Sequence, residues 1–118
     1  MGQHRRREIP LDAHALVPSR DERRDALGLI REQELGRVDE LLALRYERMA
    51  SDPFAYLRGA AAVMASDLSL RPHTGITVQL CGDAHLANFG MFASQERALV
   101  FDINDFDETN PGPFEWDV

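Results

Sequence analysis

The sequence predicts a mixed α/β chain of the α+β kind, with helices first and strands after. Three observations carry that expectation. Apolar residues recur at helical spacing through residues 21–69, with no strand-like alternation. Two β-forming runs, ITVQLC (76–81) and ALVFDI (98–103), then follow. Between them the segment CGDAHLANFG (81–90) has the period of neither class and packs Asp83, His85 and Asn88 between two glycines.

Residues 1–20 contain Pro10 and Pro18 and show no clear periodicity, so they read as a loosely ordered lead-in to a domain spanning 21–118. From 21 to about 50, Leu27, Ile30, Leu35, Val38, Leu41, Leu42 and Met49 form an approximate helical stripe, with Gly28 and Gly36 as weak points. Ser51, Asp52 and Pro53 form a start signal, a capping side chain followed by proline in the first turn. The helix expected over 53–69 places Phe54, Leu57, Ala61, Met64 and Leu68 on one face. Residues 72–75 (PHTG) end it. A strand over 76–81, the polar loop, a short strand near 88–92, a turn over 93–97 and a strand over 98–103 come next. TNPGP (109–113) reads as a loop, and FEWDV (114–118) as the opening of a further helix. A helix without a body cannot bury its apolar face, so the sequence is expected to be part of a longer protein.

Length and composition set bounds on function. A chain of 118 residues fits one small domain, able to withdraw about 65% of its unfolded surface from water. No apolar run approaches the roughly 18 residues of a membrane helix. The basic N-terminus is followed by no hydrophobic region, so a secretory leader is not expected. Cys81 is the only cysteine, which excludes an intrachain disulfide and leaves a cysteine-based zinc site unsupported. A cytoplasmic protein is the expectation. All 13 basic residues are arginine.

Charge is distributed unevenly. Residues 1–80 balance 12 acidic against 12 basic side chains, whereas 81–118 hold 8 acidic residues and only Arg97, so the net charge of −7 lies there. Such a segment repels nucleic acid but suits a divalent cation, which screens neighbouring carboxylates. A solvated acidic surface is the plain alternative. Asp102, Asp105 and Asp107, however, alternate with Ile103, Asn104 and Phe106 in a strand-like stretch.

Asp83 and Asn88 lie five residues apart on a loop leaving a strand. Phosphoryl transfer from a nucleotide needs a carboxylate to orient the acceptor hydroxyl and oxygen ligands for magnesium. An aspartate followed five positions later by an asparagine has the spacing of a kinase catalytic loop. A hairpin would return Asp105 to the same place, with Asp102 as its rival. Magnesium takes few protein ligands when phosphate and water supply the rest.

At these residues the chain resembles kinase-like phosphotransferases of the aminoglycoside phosphotransferase and choline kinase type. Their loop reads His-Gly-Asp-x-His-x-x-Asn, against Cys81-Gly82-Asp83-Ala84-His85-Leu86-Ala87-Asn88 here. Their metal segment, followed about a dozen residues later by Asp-Leu-Ala, is similar to Asn104-Asp105-Phe106-Asp107-Glu108 followed by Trp116-Asp117-Val118. The resemblance implies part of a kinase-like fold, with Asp83 as catalytic base and Asn88 and Asp105 as magnesium ligands. It also implies His85 as a loop-stabilising residue, Asp117 as an anchor beneath the loop, and ATP with Mg2+ as cofactors. More narrowly, residues 45–118 resemble the bacterial domain-of-unknown-function 2252 family. The phrases RYERM, DPFAYLRGAAAVMASDL, TGITVQLCGDAHLANFG, LVFDINDFDET and PGPFEWDV carry that likeness.

Two departures bear on activity. There is no lysine to hold nucleotide phosphates and no Gly-x-Gly-x-x-Gly loop. An arginine or a segment outside this chain would have to serve, and the chain alone is expected to be inactive. Two rival readings stand beside the phosphotransferase. A metallophosphoesterase would begin with Gly-Asp-x-His, but Leu86 stands where glycine is expected and His85 is the last histidine. A non-catalytic kinase-like remnant or interaction module is the other. The phosphoacceptor, whether small molecule or protein, and the oligomeric state are not legible in the sequence.

Overall fold

The computed structural model describes residues 2–117, apart from the side chains of Gln3 and Arg6, so Val118 of the expected final helix lies outside the described residues. The architecture is α+β, helices first and antiparallel strands after. The chain forms two compact units, one up to Thr74 and one from Gly75 onward.

The first unit is helical. Residues expected as a loosely ordered lead-in contain helix α1 (Gly2–Glu8) and a 3-10 turn, Leu11–Ala15. The helical stretch expected from 21 to about 50, with Gly36 as one of its weak points, is two helices, α2 (Ala26–Glu32) and α3 (Asp39–Met49). Gly36 adopts φ 87 between them, a left-handed conformation that no interior helical residue takes. The break resets the helical phase, which overturns the single stripe: Leu29, Ile30 and Met49 are buried, but Leu27, Val38 and Leu41 are exposed and Leu35 is 88% exposed. Helix α2 starts at Asp25, whose carboxylate accepts from the Gly28 amide at 2.7 Å. Asp39 and Glu40 sit in the first turn of α3, where the helix dipole favours negative charge.

The helix expected over 53–69 also divides, into α4 (Pro53–Gly59) and α5 (Ala61–Leu68), because Ala60 leaves helical geometry at φ −118, ψ 32. Phe54 and Leu57 are consequently exposed, whereas Ala61 is buried. Gly59 permits a close approach: a Cβ there would lie 2.6 Å from Met49 Cγ. Met49 joins Leu29, Ile30, Ala60 and Val63 in the core, with Ala26 and Tyr46 packed at its edge. Polar ties reinforce the packing. Tyr46 donates to Glu34, Arg45 Nη2 donates to the Gly59 carbonyl at 2.9 Å, and Arg23 pairs with Asp67.

Asp52 starts α4 in the expected way, accepting from the Ala55 amide at 2.9 Å with Pro53 in the first turn. That hydrogen bond holds the Asp52 carboxyl below its ordinary range. A depressed folded value means that the cap contributes fully above the ordinary carboxylate range and is lost as pH falls through the lowered value. Asp52→Asn, which still accepts but does not titrate, should flatten the acid limb of the helical unit's stability. Urea titrations at a series of acidic pH values measure this, and an acid limb identical to wild type would remove Asp52 from the account.

The second unit is built from two antiparallel pairs. Strand β1 (Thr77–Leu80) pairs with β4 (Asn110–Pro113), and β2 (Phe89–Ala93) with β3 (Leu99–Ile103). The β2–β3 hairpin turns through Ser94–Arg97, with Arg97 at φ 62 and Phe89 stacked on Phe101 at 6.3 Å. Strand β4 corrects the loop expected over 109–113. Its prolines, Pro111 and Pro113, share one side of the strand, so alternate residues keep N–H groups for β1. Phe114 continues that alternation by donating to the Ile76 carbonyl at 3.1 Å. Gly112 lets Leu80 lie across it, since a Cβ there would be 2.5 Å from Leu80 Cδ1. The expected last helix is a 3-10 turn over Phe114–Asp117. Among the described residues no helix is long and apolar enough to cross a membrane.

Candidate functional site

The polar loop leaves β1 through Leu80 and Cys81, which are 3% and 1% exposed. Burial pushes the Cys81 thiol up, away from the thiolate that a nucleophile requires. Gly82 follows at φ 95, and any Cβ there would run into the Glu108 carbonyl. The chain therefore turns sharply over the backbone of the segment entering β4.

Asp117 reaches this turn from the terminal 3-10 element. One carboxylate oxygen accepts from the Cys81 amide at 2.8 Å and the other from the Gly82 amide at 3.3 Å. The Cys81 thiol also lies 3.6 Å from Asp117 Oδ1. Thr109 gives a second tie: its hydroxyl donates to the Leu80 carbonyl at 2.6 Å and accepts from Gln79 Nε2 at 2.7 Å.

Beyond the turn, Asp83, His85 and Asn88 form one group. Asn88 Nδ2 donates to Asp83 Oδ1 at 2.6 Å and to the Asp83 carbonyl at 2.9 Å. His85 Nε2 stands 3.5 Å from Asp83 Oδ2, and the His85 amide donates to the Asp83 carbonyl at 2.7 Å. Asn88 is buried, and the side chains of His85 and Asp83 are 7% and 15% exposed. The 3-10 turn Leu86–Asn88 is closed by a bond from the Asn88 amide to the His85 carbonyl at 2.9 Å and passes directly into β2.

The hairpin returns the acidic segment to this group. The Asn104 amide donates to the Asn88 carbonyl at 2.9 Å, and β2–β3 register sets Gly90 opposite Asp102. Asp105 is therefore one residue beyond a backbone bond to Asn88. Its Oδ1 accepts from the Asp107 amide at 3.1 Å, while Asp102 Oδ1 accepts from the Ile103 amide at 2.8 Å. Both aspartates are exposed. Among the described residues no three His, Cys, Asp or Glu side chains are gathered as a ready cation cage. The donor chemistry still suits magnesium: Asn88 makes both its bonds to Asp83 through Nδ2, which leaves Oδ1 as the acceptor end of its amide, and Asp105 supplies a carboxylate.

Thr109, Gln79 and Glu108 carry no signal in the sequence that would mark them out. All three act across about 30 residues of chain, and no local spacing marks such contacts.

No curated protein and no solved structure matches the chain. The family described as "Uncharacterized protein conserved in bacteria (DUF2252)" matches residues 37–118, starting eight residues before the stretch that carries the resemblance in the sequence. That match covers more than half of the chain and takes in the whole Asp83–Asn88 loop and the acidic hairpin, and the chain belongs to this family.

Proposed function

We propose that the Asp83–Asn88 loop serves ATP- and magnesium-dependent phosphoryl transfer in the full-length protein, in a cytoplasmic setting and in a kinase-like arrangement. The observation that carries the reading is the 2.6 Å bond between Asn88 Nδ2 and Asp83 Oδ1, in a loop tied by the Asn104 amide to the segment bearing Asp105. Asp83 is the base. It accepts the proton of an acceptor hydroxyl as that oxygen bonds to the γ-phosphorus, and the bond to the ADP oxygen breaks. Asn88 Nδ2 fixes the carboxylate by donating to Asp83 Oδ1, and His85 lies beside Asp83 Oδ2. Asn88 Oδ1 and Asp105 are the residues that would hold the magnesium, which would supply positive charge to the phosphates. Asp117 holds the loop's entry through two amides.

Asp83→Ala and Asp105→Ala in the full-length protein should each lower magnesium-dependent ADP release by about 100-fold or more. Circular dichroism should remain that of the wild type. Undiminished turnover in both variants would refute the assignment. Manganese- or zinc-dependent phosphoester hydrolysis without nucleotide would favour the phosphoesterase reading instead.

A further inference from the structure

The helical unit contains a cavity of 660 Å³ bounded by α3, α4 and the turn before α3. Its size is that of a small-molecule site. Arg37, Arg45, Arg48 and Arg58 line it together with Leu41 and Leu42, and no acidic side chain is among its described lining residues. Among the described residues, none of these four arginines is in an ion pair. Elsewhere in the same unit Arg5, Arg23 and Arg24 each pair with a carboxylate.

Helix dipoles account for part of this. Arg48 and Arg58 lie in the last turns of α3 and α4, where positive charge is favourable. They do not account for Arg45. Its Nη2 is committed to the Gly59 carbonyl at 2.9 Å and to Gln33 Oε1 at 3.4 Å, so the guanidinium is held in place. Its Nη1 is closed off from water and has no acceptor among the described residues. A buried donor without an acceptor is costly, and an anionic oxygen that reached it would remove that cost.

We propose that this cavity binds a phosphorylated small molecule, its phosphate among Arg37, Arg45, Arg48 and Arg58 and its apolar portion on Leu41 and Leu42. Arginine is suited to the phosphate because its planar fork meets two oxygens at once. The leucines distinguish an organic phosphate from a free polyphosphate. The site is independent of the Asp83–Asn88 loop and of magnesium.

The test is equilibrium binding of ATP to the full chain in excess EDTA, with tripolyphosphate and adenosine as paired probes. ATP should bind more tightly than either, and more weakly as salt is raised. Arg48 and Arg58 are exposed, so the double variant Arg48→Ala, Arg58→Ala should keep its circular dichroism and lose at least about tenfold in affinity. The double lysine variant should recover part of the loss. Arg24→Ala, at an exposed arginine that does not line the cavity, should bind as the wild type does, so the loss in the double variant is not a general loss of positive charge. Wild-type affinity in the double alanine variant, equal affinity for tripolyphosphate, or no binding of ATP at about 1 mM would each overturn the proposal.

Discussion

Gly82→Ala is expected to unfold the strand unit's loop, at a cost above about 3 kcal/mol. Two effects add. At φ 95 an L side chain is strained by roughly 1–2 kcal/mol. The new methyl would also overlap the Glu108 backbone carbonyl, which belongs to the segment entering β4 and cannot rotate aside as a side-chain end could. Relief requires β4 to move from β1 and so breaks the register from Thr77↔Pro113 to Leu80↔Asn110. Gly75→Ala is the matched control: it has φ 74, but nothing lies within 4 Å of the place its new methyl would occupy. It should cost only the backbone strain. Amide hydrogen exchange in β1 and β4 measures both variants. Equal effects at the two glycines would show that the Glu108 contact is unimportant.

Asp117→Ala should destabilise the same unit by about 2–4 kcal/mol. The carboxylate satisfies the amides of Cys81 and Gly82, and Cys81 is almost wholly enclosed. Removing it leaves two donors at a turn that water reaches poorly, and leaving such donors unpaired costs more than the bonds themselves contribute. Asp117→Asn, which retains one acceptor oxygen, should lose less. Exchange of the Cys81 and Gly82 amides is the specific readout. If those two amides stay as protected in Asp117→Ala as in the wild type, the anchoring role is wrong.

Several features of the fold were legible because their causes lie within one turn of chain. Asp52 followed by Pro53 marks a helix start through a cap and a missing amide that would be unpaired anyway. The β-rich runs became β1 and β3, and the two strands flanking residues 94–98 closed into a hairpin. The helix breaks were harder. Gly36 was visible as a weak point, but a weak point does not say whether a helix bends or stops. Ala60 carries no breaking signal at all; the helix ends there as Gly59 meets Met49, a contact between residues on different helices.

Residue order alone determined the α+β class, the placing of helices before strands, the confinement of net negative charge to 81–118, and the grouping of Asp83, His85 and Asn88 on one short loop. These follow from propensity, composition and close spacing, which act between chain neighbours. Tertiary structure decided that NPGP (110–113) forms a strand, since its two prolines are tolerable only when β1 pairs along the other side. It also decided which carboxylate holds the loop's entry, which carbonyl forbids a side chain at Gly82, and which arginines surround one cavity. The reason is the same in each case: hydrogen bonds, close approaches and shared cavities join residues that the sequence keeps far apart, and their energies exist only once the backbone has brought them together.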